Sequence, residues 1–550
     1  MDGKAFKSYF RHPAHVGCNL AHITFMILAW CIALPVVIML RIAGSRYHLR
    51  AQIVFHGLNG LGIVTAVVYD SLTPELYSHD SHRGMGWAVV SLAVIWTIMS
   101  FYIVYCETRS RPLLGRKEFQ PCWKRAACRD TYCRVSRGYS IDASQESPAA
   151  AMSEKPVENP MDEEDDYYSN DDRDTELEER GCLNDNHNTR IRRIFSLSND
   201  PAQRRITVIR ITQKFLEKFL IPLGFTALIT GFIVNGGLFR EEEMLNGLAH
   251  MIKGGIFFWY GILTLGRWMG AFAEVGWGWN IRPLQQQQQQ GRRVGIVRWL
   301  EKVPSAEFVE SFVIWLYGAS NVFLEHLSGW GGEWTPRDLE HVSITLLFFG
   351  GGMLGMLVES KWVPPAMEAT AEGLPSDEEE NRRLNSKAYS GAGAERDAEE
   401  HLIYERQRET SRRIPLNPMP ALTIMLLGTM MGAHHQASEV STKLHSQWGS
   451  LFTAFALARG VTYITLYLKP PTSSHPCRPP TEIITSFCLS AGGLIFMASA
   501  SEVVETIEAN GLDASVVSMV CMGLTSVILA WEIVLYGIKG WAVRTARGES

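Results

Sequence analysis

Three observations predict an all-α fold of the polytopic membrane class, a bundle of about eleven transmembrane helices. Stretches of about 20 nearly uncharged residues recur along the chain of 550, each long enough to cross a bilayer as a helix. The figure of 46% apolar residues averages these runs with others that are almost wholly polar, a contrast typical of multi-spanning proteins. Lysine and arginine concentrate in every second connection, which fixes an orientation.

In chain order the apolar runs fall near 18–40, 51–70, 86–106, 219–238, 247–271, 306–328, 339–358, 418–436, 447–468, 481–501 and 514–537. The first is too long for a cleavable signal and has no small-residue cleavage site, so it is expected to stay as a span. Basic residues follow the first run (Arg41, Arg46, Arg50), the third (Arg109, Arg111, Arg116), the fifth (Arg282, Arg292, Arg293) and the last (Lys539, Arg544, Arg547). The connections between those are acidic or neutral, so the N-terminus is expected outside and the C-terminus in the cytosol. Residues 1–110 form a three-span module and 111–206 a cytosolic linker, basic and then acidic. Residues 207–550 form an eight-span domain with a cytosolic insert at 366–415. Linker and insert have too few apolar side chains to offset their chain entropy and are expected to be disordered. The expected partner is the lipid bilayer of the secretory pathway or plasma membrane, with no nucleic acid; protein partners belong to the cytosolic loops. Cys106, Cys122, Cys128 and Cys133 lie in or beside a basic cytosolic segment, where reduced thiols are expected rather than disulfides.

With this orientation all sixteen histidines except His48, His56, His187, His401 and His475 fall toward the outer face. Glu325-His326 and Glu340-His341 close a pair of antiparallel spans. GAHHQASEVSTKLHSQWGSLF (432–452), read as one helix, puts His434 and His445 on one face and His435 with Glu439 on a neighbouring one. Imidazole and carboxylate at one level is a ligand set for a transition metal such as zinc, iron or copper. The candidate ligands are thus Glu325, His326, Glu340, His341, His434, His435, Glu439 and His445; the alternative is plain polarity at the membrane interface.

A second constellation joins spans five and six. His250, Lys253, Tyr260, Thr264 and Arg267 repeat every three or four residues, as do Glu307, Glu310, Tyr317, Asn321 and Glu325. Antiparallel neighbours would bring Lys253 level with Glu325 and Arg267 level with Glu310, either as a structural staple or as the lining of an ion path. Arg459 and Glu532 form a further candidate pair. Glycines 350–352, 355, 492 and 493 are expected to permit close helix packing.

VPSAEFVESFVIWLYGASNVFLEHL, DLEHVSITLLFFGGGMLGMLVES, MIKGGIFFWYGILTLGRWMG and the 432–452 stretch together resemble the C-terminal domain of a fungal family of polytopic membrane proteins, the yeast transmembrane protein family. The first 110 residues resemble its N-terminal module. That resemblance implies a multi-spanning topology and a fungal source and names no activity. The N-terminal module is also similar to part of the di-haem b-type transmembrane cytochromes, through His22 in HITFMILAW and His82 in HRGMG. The similarity implies one haem b held by His22 and His82, because Phe55 stands where those cytochromes carry a ligand on the next helix, with His56 one position further on.

Three function classes remain: a membrane protein with a metal-binding or redox-linked outer centre, a proton or metal-ion transporter, and a membrane-embedded metal-dependent hydrolase. No phosphate loop, nucleophile elbow or dinucleotide fingerprint sits in a strand-turn-helix setting, which disfavours a soluble enzyme.

Overall fold

The computed structural model describes residues 8–77, 80–109, 201–240, 244–282, 303–325, 336–360, 363 and 416–547. These residues form helices and connections, with no strand among those described. Among the described residues each predicted apolar run coincides with a helix over most of its length, and eight of these helices are long and apolar enough to span a membrane. The N-terminal module supplies α1 (Val16–Ile27), a π-turn over Leu28–Ala33, α2 (Leu34–Ile42), α3 (His48–Leu72) and α4 (Ser81–Arg109). The remainder is α5 (Pro201–Gly236), α6 (Met244–Met269), α7 (Ala306–Glu325), α8 (Pro336–Val358), α9 (Met419–Gly432), α10 (Glu439–Leu468), α11 (Thr481–Ala498), the short α12 (Ser501–Ala509) and α13 (Ala514–Arg547). Two helices outside these eight fall short for visible reasons. With 14 residues, α9 rises only about 21 Å against a hydrocarbon core of about 30 Å, and α7 carries Glu307 and Glu310 in its first turns.

The π-turn traces to Pro35. Proline has no N–H for the carbonyl four residues back, and the register loosens there. Cys31 is that residue, and its carbonyl oxygen instead accepts from Trp531 Nε1 at 3.0 Å.

The chain divides into two compact units. The larger comprises residues 1–36, 54–91 and 221–538. Within it α6 packs on α11, α11 on α10, α10 on α9, α9 on α8 and α8 on α7. Its apolar core joins Phe257, Phe348, Ile424, Trp448, Phe452 and Phe496. Close approach depends on glycine: a Cβ at Gly493 would stand 2.5 Å from the Gly254 carbonyl oxygen, and one at Gly428 would stand 2.6 Å from that of Gly449.

The smaller unit comprises residues 37–53, 92–220 and 539–550, which are the segments flanking the basic connections. Here Arg41 pairs with Glu217 and donates to Ser100 Oγ at 3.0 Å. Ser100 also accepts from Gln213 Nε2 at 2.7 Å, and Glu217 accepts from Trp96 Nε1 at 3.3 Å. Nearby, Tyr47 stacks on Trp541 with ring planes 17° apart.

Candidate functional site

The strongest concentration of chemistry lies where α6 and α10 bring arginines against carboxylates of α7 and α11. Arg267 is in the last turn of α6, and its guanidinium divides its donors. Nη1 meets Glu310 Oε1 at 2.6 Å and Nη2 meets Glu307 Oε1 at 2.9 Å. Nε donates to the Trp277 carbonyl at 2.8 Å. Arg459 of α10 has Nε 2.9 Å from Glu482 Oε1 and Nη1 3.5 Å from Glu310 Oε2. Glu310 therefore lies between both arginines. Relative exposure is 1% for Arg267 and Arg459, 2% for Glu307 and 0% for Glu482. Bare charges carry a heavy desolvation cost in such a place, so each is bound by an opposite charge or a dipole.

The surroundings are aromatic and closed. Trp279 lies 4.3 Å beneath the Arg267 guanidinium and 5.7 Å from that of Arg459, close enough for cation–π attraction. Trp279 is placed by the turn after α6, where Gly270, Phe272, Gly276 and Trp279 all have positive φ. That turn is tied to the α10–α11 connection: Asn280 Nδ2 donates to Ala273 O and Ser474 O, each at 2.8 Å, and Ile281 N donates to Ser473 O at 3.0 Å. At the edge of the cluster Glu359, just past α8, accepts from Ser305 Oγ at 2.8 Å. Burial pushes its carboxyl up to about 7; Glu307 and Glu310 add to the rise and the Ser305 hydrogen bond opposes it.

The predicted site residues fall as follows. Arg267 and Glu310 meet directly. Arg459 meets Glu482 and Glu310 rather than Glu532. The reason is local: a short connection returns α10 into α11 and sets Glu482, in the first turn of α11, beside Arg459. Glu532 instead lies against Gly266, where a Cβ would stand 3.4 Å from its Oε1. Lys253 sits over the face of Tyr317 at 5.7 Å; the side chain of its expected partner Glu325 lies outside those described, as does that of His341. His326 lies outside the described residues altogether.

The proposed metal set is not assembled by its described members. The 432–452 stretch is not one helix: α9 ends at Gly432 and α10 begins at Glu439, with Ser438 as N-cap accepting from Ser441 N at 3.1 Å. This break cancels the i, i+4 relations expected of His434 and His435. Glu439 turns outward to Lys443 at 2.6 Å. His445 is buried with Nδ1 on Ser441 O at 2.8 Å. His435 is exposed, and His434 Nδ1 reaches Glu340 Oε1 at only 3.7 Å. Among the described residues no three His, Cys, Asp or Glu side chains are grouped to hold a metal ion.

His22 and His82 do come together, their ring centroids 6.2 Å apart and planes inclined by 71°. His22 Nδ1 is hydrogen-bonded to Gly62 O at 2.8 Å and His82 Nδ1 to Thr230 Oγ1 at 3.2 Å. Gly231 makes room for His82, since a Cβ there would stand 3.0 Å from its Cε1.

Sequence reasoning placed Glu307 on the polar face of its helix without pairing it to Arg267, and missed Glu482 in the charge cluster and Glu359 at its edge. The signal available for each was a carboxylate within the first or last turn of an apolar helix, the position next to a connection that other charges also flank.

Helices of this length and apolarity around a buried set of charges define a multi-pass membrane protein. Comparison places it more closely. Residues 223–540 match the model of the YTP1-like protein family, C-terminal domain, and residues 4–105 match a domain of unknown function, DUF2427. The chain belongs to the YTP1-like family. It is similar to an uncharacterised membrane protein of Schizosaccharomyces pombe, 34% identical over 98% of this chain and 96% of that one. An uncharacterised membrane protein of Saccharomyces cerevisiae is 37% identical over 59% of this chain and 47% of its own length. The S. cerevisiae protein YTP1 is 20% identical over 62% of this chain and 57% of its own. No solved structure matches.

Proposed function

We propose that the protein is a proton-linked transporter whose proton-carrying element is the Arg267, Arg459, Glu307, Glu310, Glu482 cluster. The observation that carries this reading is the sharing of Glu310 between two buried guanidiniums, 2.6 Å from one and 3.5 Å from the other, in a site with three carboxylates against two arginines. Fully ionised, that set carries one negative charge in excess, in surroundings where an uncompensated charge is expensive. One resident proton balances it. Glu310 can then exchange partners between the arginines as the proton moves among the carboxylates. Glu359 at the rim, with its carboxyl near 7, is suited to pass protons between water and the cluster.

The reading carries a topology of eleven spans, with the N-terminus outside and the C-terminus cytosolic, in a secretory or plasma membrane. The residues 1–110 module precedes the linker, and the 207–550 domain houses the cluster. The connections α6–α7, α8–α9 and α10–α11 then face the cytosol, and the cluster lies at that end of the helices. The test is proton flux into proteoliposomes loaded with a pH-sensitive dye. Wild type is expected to admit protons under an imposed potential and Glu310→Gln to lose most of that flux. Wild-type flux no greater than that of empty liposomes, or full flux in folded Glu310→Gln, would refute the reading.

A second reading rests on the His22 and His82 pair. Each Nδ1 is held by an oxygen, which leaves Nε2 as the nitrogen able to ligate, the arrangement found behind metal-binding histidines. The donor set of the pair fits one haem b, which His22 and His82 would hold and which would supply one-electron redox chemistry. A visible absorption spectrum of the purified protein, with and without dithionite, tests this: a haem band lost in His82→Ala supports it, and a flat wild-type spectrum removes it.

A further inference from the structure

The smaller unit presents a surface that the proton reading does not use. Its α5 is 36 residues long, about 54 Å, so it extends well beyond a hydrocarbon core of about 30 Å. The half PAQRRITVIRITQKFLEKF carries the helix out to the membrane surface, with Arg204 and Arg205 near its outer end, and Arg204–Gly236 is apolar enough to form one membrane-crossing segment. An ordinary cytosolic helix would keep its exposed face polar. Here Val208, Ile211, Phe215 and Phe219 are all exposed, and at 100° per residue they form one narrow stripe with Arg204 at its head. The Phe215 and Phe219 rings lie 4.3 Å apart along it. At the head of the stripe, Arg204, Arg205, Val208 and Ile209 together with Tyr102 of α4 line an open cleft of about 400 Å³. The unit is also unbalanced in charge. Glu217 is its one carboxylate among the described side chains, and Arg41 already holds it.

We infer that this cleft and stripe bind an anionic glycerophospholipid of the adjacent leaflet. The phosphate and its headgroup sit between Arg204 and Arg205 beside the Tyr102 hydroxyl. The acyl chains run down Val208, Ile211, Phe215 and Phe219, a length of about 22 Å from Arg204 to Phe219 at the helical rise. Cationic clefts at the membrane surface select anionic headgroups, and the apolar stripe distinguishes a lipid from a free phosphate.

The test uses the full-length protein in detergent, titrated with fluorescent phosphatidylserine. Phosphatidylcholine and inorganic phosphate serve as the other probes. Phosphatidylserine is expected to bind in preference to phosphatidylcholine. Removing two charges in Arg204→Gln/Arg205→Gln should weaken it about thirtyfold, whereas Lys539→Gln/Arg544→Gln, in the same unit but off the cleft, should leave it unchanged. Phe215→Ser/Phe219→Ser should weaken phosphatidylserine while both arginines remain. Equal binding in the Arg204→Gln/Arg205→Gln variant, an equal loss in the Lys539→Gln/Arg544→Gln variant, or complete displacement of the lipid by inorganic phosphate would overturn the assignment. All these residues but the half-buried Lys539 are exposed, and monodisperse elution of each variant establishes that it has folded.

Discussion

Glu359→Gln isolates the electrostatics at the rim of the charge cluster. Burial, reinforced by Glu307 and Glu310, takes this carboxyl from its ordinary 4.5 to about 7. That difference disfavours the ionised form in the folded protein by roughly 3 kcal/mol. The sign follows from proton counting. Below 4.5 both folded and unfolded states hold the proton and no stability is lost. Between 4.5 and about 7 the folded state binds more protons than the unfolded one, so stability falls as pH rises. Above about 7 the loss is complete. Glutamine keeps a polar partner for Ser305 and has no proton to lose. Thermal unfolding of the purified protein across a pH series, wild type beside Glu359→Gln, is therefore expected to show equal stability near the acid end. Toward pH of about 8 the variant should gain up to roughly 3 kcal/mol over wild type. A difference between the two that is flat across the series, or that favours wild type at alkaline pH, would refute the burial of the Glu359 carboxyl at the rim of the cluster.

Other outcomes follow from the same geometry. Glu310→Gln leaves Glu307 and Glu482 to balance the two guanidiniums but removes the carboxylate that both arginines share, and is expected to cost about 1.5 to 3 kcal/mol, read as a lowered unfolding temperature. Gly493→Ala places a methyl 2.5 Å from the Gly254 carbonyl oxygen and should cost about 1 to 3 kcal/mol through overpacking, with a reduced yield of monodisperse protein. His434→Ala/His435→Ala, in the connection between α9 and α10, should leave metal content unchanged and shift stability by no more than about 0.5 kcal/mol. Trp531→Phe strips the Cys31 carbonyl of its donor and should cost about 1 kcal/mol, seen in the same unfolding assay.

The helices were legible in the sequence because twenty apolar residues in a row have few alternatives, and Arg267 and Glu310 could be matched because both helices repeat their polar residues on one face. Partner choice beyond that pair was not legible. Arg459 lies mid-helix, and whether it meets Glu482 or Glu532 depends on which helices are neighbours, which hydropathy does not encode. The 432–452 stretch misled for a different reason: the histidines invite a helical reading, while Gly432 as a stop and Ser438 as an N-cap mark the break. In α5 the apolar run ends the span near 219, yet the basic segment before it keeps the same helical period and continues the helix to Pro201. Glu359 gave no signal of its own, because its carboxyl is raised first by burial in the folded protein and then by Glu307 and Glu310, more than 45 residues away in sequence.

The decisive measurement is difference infrared spectroscopy of the reconstituted protein across neutral pH, in ordinary and heavy water. A proton held among Glu307, Glu310 and Glu482 gives a carboxylic-acid carbonyl band that shifts on deuteration, and that band should disappear in Glu310→Gln. A wild-type spectrum containing only ionised carboxylate, or a carboxylic-acid band that survives Glu310→Gln intact, would contradict a proton resident in the cluster.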